Sequence, residues 1–585
     1  MKILGIHDGH NSSAAFLENN ILKNCIQEER LTGVKNQCGF PKMAIDQILE
    51  KNKLDLLEMD LVVFSQKTGS WEGLNPRITV EKYHNEYKLY SNPTKIFQLK
   101  RLLQFFPASL QEPLRKNFFS KRKEKNLMLR QNLLGKEYPS EKIKTLDHHY
   151  CHAASAYYGS SFNKKKKSVL VLTVDGSGDR LCATVSIGQN GKIQRLASLS
   201  EDFSIARLYA MITFKMGMVP LEHEYKLMGM APYGDDVKRT SEIENVFDQI
   251  FSIQKDDEFW RLSKRFKNIY QTWPFLEEKL RFKRFDHICF SLQSCVEKII
   301  VQWVKNWIKK TQIHNLALAG GLFMNVKVNQ KIHELDEVKS TFIFPSCGDE
   351  SLSIGAVFAA CSKLSTEPEP ISHLYLGFDS DNREIDHVIS NLDTDNFEVT
   401  RYEDIEQEVA RLLDDDQVVA RHKSNHEFGA RALGNRSILA NPAWTDSVRV
   451  INDMIKKRDF WMPFALSILD EKADEFFENL KKYQAHYMIM TFDLSKNSPH
   501  RHQLSGGIHP RDFTTRPQVV HKQTNNDYHR LISYFYDLSG IPALLNTSLN
   551  LHGLPLVSKP SDSQYVLENS GLNYLALENF LIRKK

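Results

Sequence analysis

Two histidines spaced four residues apart give this sequence its first sign of chemistry. They lie in the run DHHYCH, residues 147–152, which is followed by alanine and aromatic residues that favour a helix. Asp147 is a typical N-cap residue. On a helix that begins there, His148 and His152 lie one above the other on one face and can share a metal ion. The alternative is a polar helix start with incidental histidines.

An acidic loop later in the chain offers a further ligand. Asp349 stands before a small-residue helix in the stretch FIFPSCGDESLSIGAVFAA, residues 342–360. Carboxylate oxygens and imidazole nitrogens together suit Fe, Mn or Zn. The sequence therefore makes Asp349 a candidate third ligand beside the two histidines.

The elements that must position these side chains include one hairpin pattern that occurs twice. Residues 2–9 read as a buried strand ending in Asp8-Gly9, and a second strand and the turn 19–20 follow. Residues 168–191 repeat this plan around the run 175–179, DGSGD. Glycines there let backbone N–H groups approach an anion. A duplicated phosphate-facing hairpin predicts an α/β fold of the two-lobed actin-like ATPase type, and two ordinary hairpins are the alternative.

Two further stretches carry groups that suit a nucleotide or a charged substrate. A short strand, 316–318, runs into Gly320, Gly321 and Asn325. A strand, a glycine pair and a helix in this order can hold a nucleotide. Lys226, in the polar loop 222–234, is the obvious charge to aim at a substrate.

A linker divides the chain. Residues 362–370, SKLSTEPEP, have the composition of a linker, and we predict domains over 1–365 and 372–585. The second domain contains cations whose side chains can converge on phosphates. The alternative is that each of them is an ordinary surface charge. These cations are Arg431, Arg436, Lys456, Arg458 and Arg516.

A basic and aromatic insert lies within the first domain, over about residues 82–144. Lys121, Arg122, Lys123 and Lys125 form its densest part. Such a run is either a solvated helix face or a surface for an acidic partner such as nucleic acid.

Composition limits the remaining choices. The chain has 585 residues, of which 41% are apolar and 25% charged, as in a globular protein of two or three domains. It has no run of about 18 apolar residues and does not begin with a signal peptide, so we expect a cytoplasmic protein. The eight cysteines form no CxxC pair and indicate neither a disulfide framework nor a zinc ribbon. A net charge of +5 does not by itself argue for nucleic acid.

Taken together, these stretches resemble the NodU/CmcH-type O-carbamoyltransferases along nearly the whole chain. The resembling segments are DGHNSSAA, DHHYCHAASA, VDGSGD, YKLMGMAPYG, AGGLFMNV, CGDESLSIGA, FGARALGNRSIL, IKKRDFWMPFA and LLNTSLNLHG, in that order. The resemblance implies an actin-like N-terminal domain, similar to the enzyme that threonylcarbamoylates tRNA, and a YrdC-like C-terminal domain. It also implies two steps. Carbamoyl phosphate and ATP form carbamoyl-adenylate in the second domain, and the first domain passes the carbamoyl group to an acceptor hydroxyl.

The resemblance assigns roles to individual residues. It implies a divalent metal, iron with magnesium as the alternative, on His148, His152, Asp175 and Asp349. It makes His10 a general base with Asp8 beside it, and we add Lys226 to this catalytic group. Nucleotide and carbamoyl phosphate contacts fall on the glycine loop and on the second domain. These contacts are Gly320, Gly321, Asn325, Arg431, Lys456, Arg458, Arg516, Asn546 and Ser548.

Two questions stay open at the level of sequence. Met462 stands where the family has a phosphate-binding arginine, so the predicted carbamoyl phosphate site lacks one charged contact, and Lys457 is a candidate substitute. A non-catalytic nucleotide-binding protein on the same fold is therefore an alternative. The acceptor is either a hydroxymethylated base in DNA, which the basic insert would contact, or the hydroxyl of a small molecule or sugar.

Overall fold

The computed structural model describes residues 1–67, 126–235, 237–364, 367–444, 446–456, 459, 461–495 and 501–585. Most of the predicted basic insert and Arg458 lie outside these residues. The chain forms two compact units. The first comprises Met1–Glu29, Asn36–Met324 and Leu335–Pro370, and the second comprises Arg30–Lys35, Asn325–Glu334 and Ile371–Lys585.

The first unit contains two five-stranded sheets, with orders β3-β2-β1-β4-β5 and β12-β11-β6-β7-β8. Its strands, with a separate short pair β9–β10, have the following bounds. They are β1 Lys2–His7, β2 Ser13–Glu18, β3 Ile21–Gln27, β4 Leu61–Phe64, β5 Ile143–Thr145, β6 Val169–Gly178, β7 Leu181–Gln189, β8 Lys192–Ser200, β9 Phe251–Ser252, β10 Arg261–Leu262, β11 Asn315–Ala319 and β12 Ser340–Ile343.

The two sheets have the same topology. In each, three consecutive antiparallel strands are extended on the side of the first strand by two parallel strands. The turn between β2 and β3 is formed by Asn19 and Asn20, which have left-handed φ angles of 49° and 65°. The equivalent turn between β7 and β8 is formed by Asn190 and Gly191, with φ angles of 50° and 73°. The predicted duplication is confirmed, and a repeated sheet of this order is the actin-like ATPase fold.

The α-helices of the described residues have the following bounds. They are α1 Glu29–Thr32, α2 Lys42–Asn52, α3 His148–Gly159, α4 Ile205–Lys215, α5 Glu224–Met230, α6 Val237–Asp248, α7 Trp273–Lys279, α8 Phe285–Thr311, α9 Val326–His333, α10 Leu352–Lys363, α11 Asn382–Ser390, α12 Ile405–Asp414, α13 Ser447–Ile451, α14 Asn526–Ser539 and α15 Pro560–Glu568. Residues 126–134 are also helical. None of the helices in the described part of the chain is long and apolar enough to cross a membrane.

Helices α3 and α10 pack tightly in the interior of the first unit. A Cβ at Gly355 of α10 would lie 2.0 Å from the Cys151 carbonyl oxygen of α3, and one at Gly5 of β1 would lie 2.3 Å from the Ser353 carbonyl oxygen. Only glycine permits these approaches, because a Cβ at either distance would overlap the backbone. The close packing fixes the start of α3 and the loop before α10 relative to β1.

The second unit contains a mixed eight-stranded sheet of order β13-β22-β21-β14-β15-β20-β16-β19. Its strands, with a separate short pair β17–β18, are β13 Phe397–Arg401, β14 Val419–His422, β15 Arg436–Ala440, β16 Ala465–Leu469, β17 Phe492–Asp493, β18 Thr514–Thr515, β19 Gln518–Val520, β20 Ala543–Ser548, β21 Tyr574–Leu577 and β22 Phe580–Lys584. A buried apolar cluster joins one face of this sheet to α11, α13 and α15. The α/β character predicted for the second domain is confirmed.

Candidate functional site

Helix α3 begins as the sequence predicts. Asp147 caps it, since its Oδ1 accepts a hydrogen bond of 2.9 Å from the backbone N–H of Tyr150. Burial alone would raise the pKa of this carboxyl, but the guanidinium of Arg195 outweighs burial and the pKa falls to about 2. The cap fixes the helix start, and with it the direction in which His148 and His152 project.

The two predicted histidines meet inside the first unit. Both side chains are fully buried, and their ring centroids lie 4.8 Å apart. Neither ring nitrogen of either histidine has a hydrogen-bond partner among the described residues. Buried polar atoms are nearly always paired, so the unpaired Nε2 atoms of the two rings indicate a ligand that the protein atoms do not supply.

Two carboxylates converge on these rings from other elements. Asp175 lies in β6, and Asp349 lies in the turn before α10. His148 Nε2 is 3.4 Å from Asp175 Oδ2 and 3.5 Å from Asp349 Oδ1, and His152 Nε2 is 3.5 Å from the same Asp349 oxygen. Bonds of about 2.0–2.2 Å to one ion would separate neighbouring ligand atoms by about 3.0–3.5 Å. The four side chains, whose ligand atoms all lie within 4.8 Å of one another, therefore fit a single metal ion.

The electrostatics of the cluster agree with a cation at its centre. Burial raises the pKa of Asp349, and the neighbouring Asp175 raises it further, because two carboxylates at this distance repel each other. Burial and His148 lower the pKa of His152 to about 3, so its ring is neutral, as a metal ligand must be. Burial opposes a charge on His148 as well, but Asp349 and Asp175 outweigh it and raise that pKa to about 9. A divalent ion would replace the proton on His148.

The predicted nucleotide loop lies against one of these ligands. The backbone N–H of Gly321 donates a hydrogen bond of 3.0 Å to Asp175 Oδ1. Gly320 has a φ of +102°, and a Cβ there would lie 2.3 Å from the Val174 carbonyl oxygen. Asn325 belongs to the second unit, where its side chain caps α9 by accepting a hydrogen bond from the N–H of Val328. The two glycines thus adjoin the four candidate metal ligands, whereas the Asn325 side chain caps a helix.

A histidine that the sequence reading did not single out lies beside the cluster. His7, the last residue of β1, is fully buried, and its Nε2 is 3.9 Å from Asp349 Oδ2. Burial lowers its pKa to about 4, so the ring is neutral. Its Nε2–H donates to the His10 carbonyl oxygen at 2.8 Å, and its Nδ1 accepts from the Ser65 hydroxyl at 2.9 Å. His7 therefore lies between the backbone of His10 and the candidate metal ligand Asp349.

Asp8 has a partner that no local pattern revealed. Its carboxylate is fully buried and forms a two-pronged ion pair with Arg130, with Nε–Oδ2 of 2.7 Å and Nη2–Oδ1 of 2.8 Å. Arg130 also donates to the Gln66 carbonyl oxygen and lies 4.4 Å over the Phe64 ring. The pair ties the loop after β1 to the helical residues 126–134.

Two backbone hydrogen bonds to Gln37 and Gly39 also hold the loop that carries His10. Gly39 N–H donates to the Gly9 carbonyl oxygen at 3.0 Å, and Ser12 N–H donates to the Gln37 carbonyl oxygen at 2.8 Å. His10 itself is half-buried at the surface of this loop. Lys226, also predicted to be catalytic in this unit, is half-buried in α5.

In the second unit, Lys456 is enclosed by oxygen atoms. Its side chain is buried, and its ammonium donates to Ser548 Oγ at 3.2 Å, to Asn550 Oδ1 at 2.6 Å and to the carbonyl oxygens of both residues. These partners lie at the end of β20, so Lys456 and Ser548, two predicted ligand contacts, are brought together. Asn550 was not predicted, although it follows Ser548 by two residues.

The other predicted contacts of the second unit lie on several elements. Asn546 is buried in β20, where its amide group donates to Ser467 Oγ at 3.0 Å and its Oδ1 has no hydrogen-bond partner among the described residues. Arg516 donates to the Met488 carbonyl oxygen at 3.4 Å, and Arg431 is half-buried. Met462 is buried, and its thioether has no hydrogen to donate to a phosphate.

Comparison with known proteins identifies two family models along the chain. The model described as the carbamoyltransferase N-terminus matches residues 2–360, and the model described as the carbamoyltransferase C-terminus matches residues 410–584. Together they cover most of the chain, including the four candidate metal ligands and Lys456.

Individual relatives agree with these models. The nodulation protein NolO of Bradyrhizobium diazoefficiens is 31% identical over 75% of this chain and 79% of its own. The 3'-hydroxymethylcephem-O-carbamoyltransferase of Amycolatopsis lactamdurans is 26% identical over 44% of this chain and 46% of its own. Among solved structures, full-length HypF in a phosphate- and nucleotide-bound form is 12% identical and covers 62% of this chain and 46% of its own, with a TM-score of 0.32. A score this low supports no conclusion by itself.

Proposed function

Because the chain belongs to the carbamoyltransferase family, we propose that it is an ATP-dependent O-carbamoyltransferase that works in two steps. Family membership makes it a transferase, in place of the non-catalytic nucleotide-binding protein that the sequence left open. In the first step, water would cleave carbamoyl phosphate to carbamate and phosphate, and a carbamate oxygen would attack the α-phosphorus of ATP. Pyrophosphate leaves and carbamoyl-adenylate forms. In the second step, an acceptor hydroxyl would take the carbamoyl group and release AMP.

The single observation that carries this proposal is the metal cluster of the first unit. Three buried ligands and the partly buried Asp349 lie around one point, the histidine ring nitrogens there have no hydrogen-bond partner among the described residues, and the glycine loop that suits a phosphate adjoins Asp175. A divalent ion bound there would neutralise phosphate oxygens of the adenylate. Imidazole and carboxylate ligands in equal number favour iron, manganese or zinc over magnesium.

His10 is the residue we assign as general base for the acceptor hydroxyl. The neutral ring of His7 supports this assignment, because it binds the backbone carbonyl of His10 while its own ring lies beside Asp349. Asp8 is bound on both oxygens by Arg130. We therefore give Asp8 the task of holding this loop, and not that of moving a proton.

The first step is assigned to the second unit. Lys456 is a buried cation beside Ser548, and a phosphate oxygen can replace one of the oxygens that now bind its ammonium. Arg431, Arg516 and Asn546 remain the predicted partners of carbamoyl phosphate and ATP. Met462 removes one charged contact of about 1.5–3 kcal/mol from this set. We therefore expect a weakened but functional carbamoyl phosphate site.

The acceptor is proposed to be a hydroxyl-bearing small molecule or sugar. The cephem relative, whose name gives a hydroxymethyl group as the acceptor, supports this choice. A DNA acceptor depends on the basic insert, of which residues 82–125 lie outside the described part of the chain. It stays a prediction for the assay below to decide.

The assay uses the purified full chain with carbamoyl phosphate, ATP and ferrous or manganese ions. Pyrophosphate release is measured first without an acceptor. Small-molecule alcohols, sugars and hydroxymethylated oligonucleotides are then screened by mass spectrometry for an added carbamoyl group. No pyrophosphate release that depends on carbamoyl phosphate would refute the two-step proposal. Carbamoylation of the oligonucleotides alone would move the acceptor to DNA.

A Lys456→Met variant tests the division between the two units. The change keeps the aliphatic stem and removes the charge-assisted hydrogen bonds. Each such bond contributes about 1.5–3 kcal/mol, so we expect pyrophosphate release to slow by about 10- to 150-fold. Lys482→Met removes an exposed cation of the same unit and serves as the control. Unchanged pyrophosphate release in the Lys456 variant would show that the first step takes place elsewhere.

A further inference from the structure

A second group of histidines and carboxylates lies in the second unit, at one end of two parallel strands. Strands β16 and β19 run parallel with Leu469 beside Val520, so both chains leave the sheet at the same edge. The next residues are therefore neighbours, and the N–H of Asp470 donates to the Val520 carbonyl oxygen at 3.3 Å. This topology places Asp470 and Glu471 from one strand next to His521 from the other.

Helix α14 adds a histidine to this edge. Asn525 caps the helix by accepting a hydrogen bond from the N–H of Tyr528, and His529 follows in the first turn. Its Nε2 lies 3.4 Å from Asp470 Oδ1 and 3.1 Å from Glu471 Oε2. These three ligand atoms all lie within 4.8 Å of one another. The separations match the values of about 3.0–3.5 Å expected around one ion with bonds of about 2.0–2.2 Å.

Neighbouring side chains lie within hydrogen-bond distance of two of these ligands, Asp470 and His529. His521 Nδ1 lies 2.6 Å from Asp470 Oδ2, so a proton on that nitrogen holds one carboxylate oxygen and leaves Oδ1 facing His529. Ser533, one turn along α14, places its hydroxyl oxygen 3.4 Å from Nδ1 of His529. Metal-bound histidines and carboxylates are commonly fixed by such outer hydrogen bonds. The His486 ring packs 4.5 Å from the His521 ring and restricts its rotation.

We propose that Asp470, Glu471 and His529 form a second metal site, which binds a divalent transition-metal ion such as Zn²⁺ and joins β16 to α14. One imidazole and two carboxylates suit zinc or manganese better than the soft, thiol-bound metals. His529 is mostly buried, whereas the side chain of Glu471 is 52% exposed. The ion is therefore reached from solvent, and water completes its coordination.

The test must separate this site from the metal cluster of the first unit. The full chain is stripped with a chelator, loaded with Zn²⁺, desalted and analysed for zinc per chain. A His148→Ala, Asp175→Asn double variant removes two ligands of the first cluster. We expect about one zinc ion per chain to remain in this background, and almost none after His529→Gln is added. In the same background, Zn²⁺ should raise the unfolding temperature only while His529 is present.

Two further variants complete the test, one at a proposed ligand and one at a neighbouring residue outside the site. Glu471→Gln alters a side chain that is 52% exposed, and it should lower zinc occupancy in the same background. Asp474→Asn removes a nearby exposed carboxylate that is not part of the group, and it should leave occupancy unchanged. If the double variant holds no zinc, or if zinc content is the same with and without His529 and Glu471, the residues form ion pairs only and the proposal is wrong.

Discussion

Replacing His148 by alanine is expected to lower the metal content of the first unit and to slow carbamoyl transfer at least about 100-fold. Even groups that only orient a metal ligand contribute about 10- to 100-fold to metal affinity or activity. His148 lies within 3.5 Å of carboxylate oxygens of both Asp175 and Asp349. Its loss leaves one imidazole and two carboxylates. The ion then has three ligands in place of four and is held more weakly.

The same variant should leave the first step intact. Lys456 and the oxygen atoms around it belong to the second unit, so pyrophosphate release should continue at the wild-type rate. The metal content, by elemental analysis, and the rates of pyrophosphate release and carbamoyl transfer are measured on the same preparation. A variant with wild-type metal content, or one that loses both steps equally, would contradict the assignment.

His149→Ala provides the matched control. His149 is equally buried in the same helix, but its Nδ1 pairs with the Thr173 hydroxyl at 2.8 Å and it is not one of the four ligands. Both alanine variants lose a buried ring of the same size. A loss of metal in the His148 variant alone therefore reports on ligation and not on packing.

Replacing Arg130 by methionine is expected to destabilise the first unit by about 3–5 kcal/mol, the cost of leaving one member of a buried ion pair without its partner. Asp8 and Arg130 are both almost completely inaccessible, and Arg130 supplies two of the hydrogen bonds to the Asp8 carboxylate. The loop that carries His10 follows Asp8 directly. We therefore also expect slower carbamoyl transfer in the fraction of the protein that remains folded.

Urea denaturation followed by tryptophan fluorescence measures the change. A double variant, Asp8→Leu with Arg130→Met, should recover at least half of the lost stability, because replacing both charges by apolar groups removes the unpaired carboxylate. Its carbamoyl transfer should stay slow if the pair positions the His10 loop. A single variant that loses less than about 1 kcal/mol would mean that water reaches Asp8 and that the pair is a surface contact.

The sequence by itself determined the features that depend on short-range pattern. The cap at Asp147, the helical spacing of His148 and His152, and the repeated strand–turn–strand segments are confirmed in the structure. Spacing of four residues brings side chains together on a helix whatever surrounds it. Asparagine and glycine at the hairpin turns adopt left-handed backbone angles for local steric reasons. These features carry enough information to predict an actin-like fold and half of a metal site.

Only the tertiary structure decided which distant residues complete each site. The sequence offered Asp349, about two hundred residues after His152, only as one candidate ligand, and the resemblance, not the spacing, made Asp175 another. The Asp8–Arg130 pair, the place of His7 beside Asp349 and the meeting of Asp470 with His529 have no local signature. Each depends on which strands are neighbours and where they end. Strand order is set by burial over the whole sheet, so it cannot be read from the residues that finally touch.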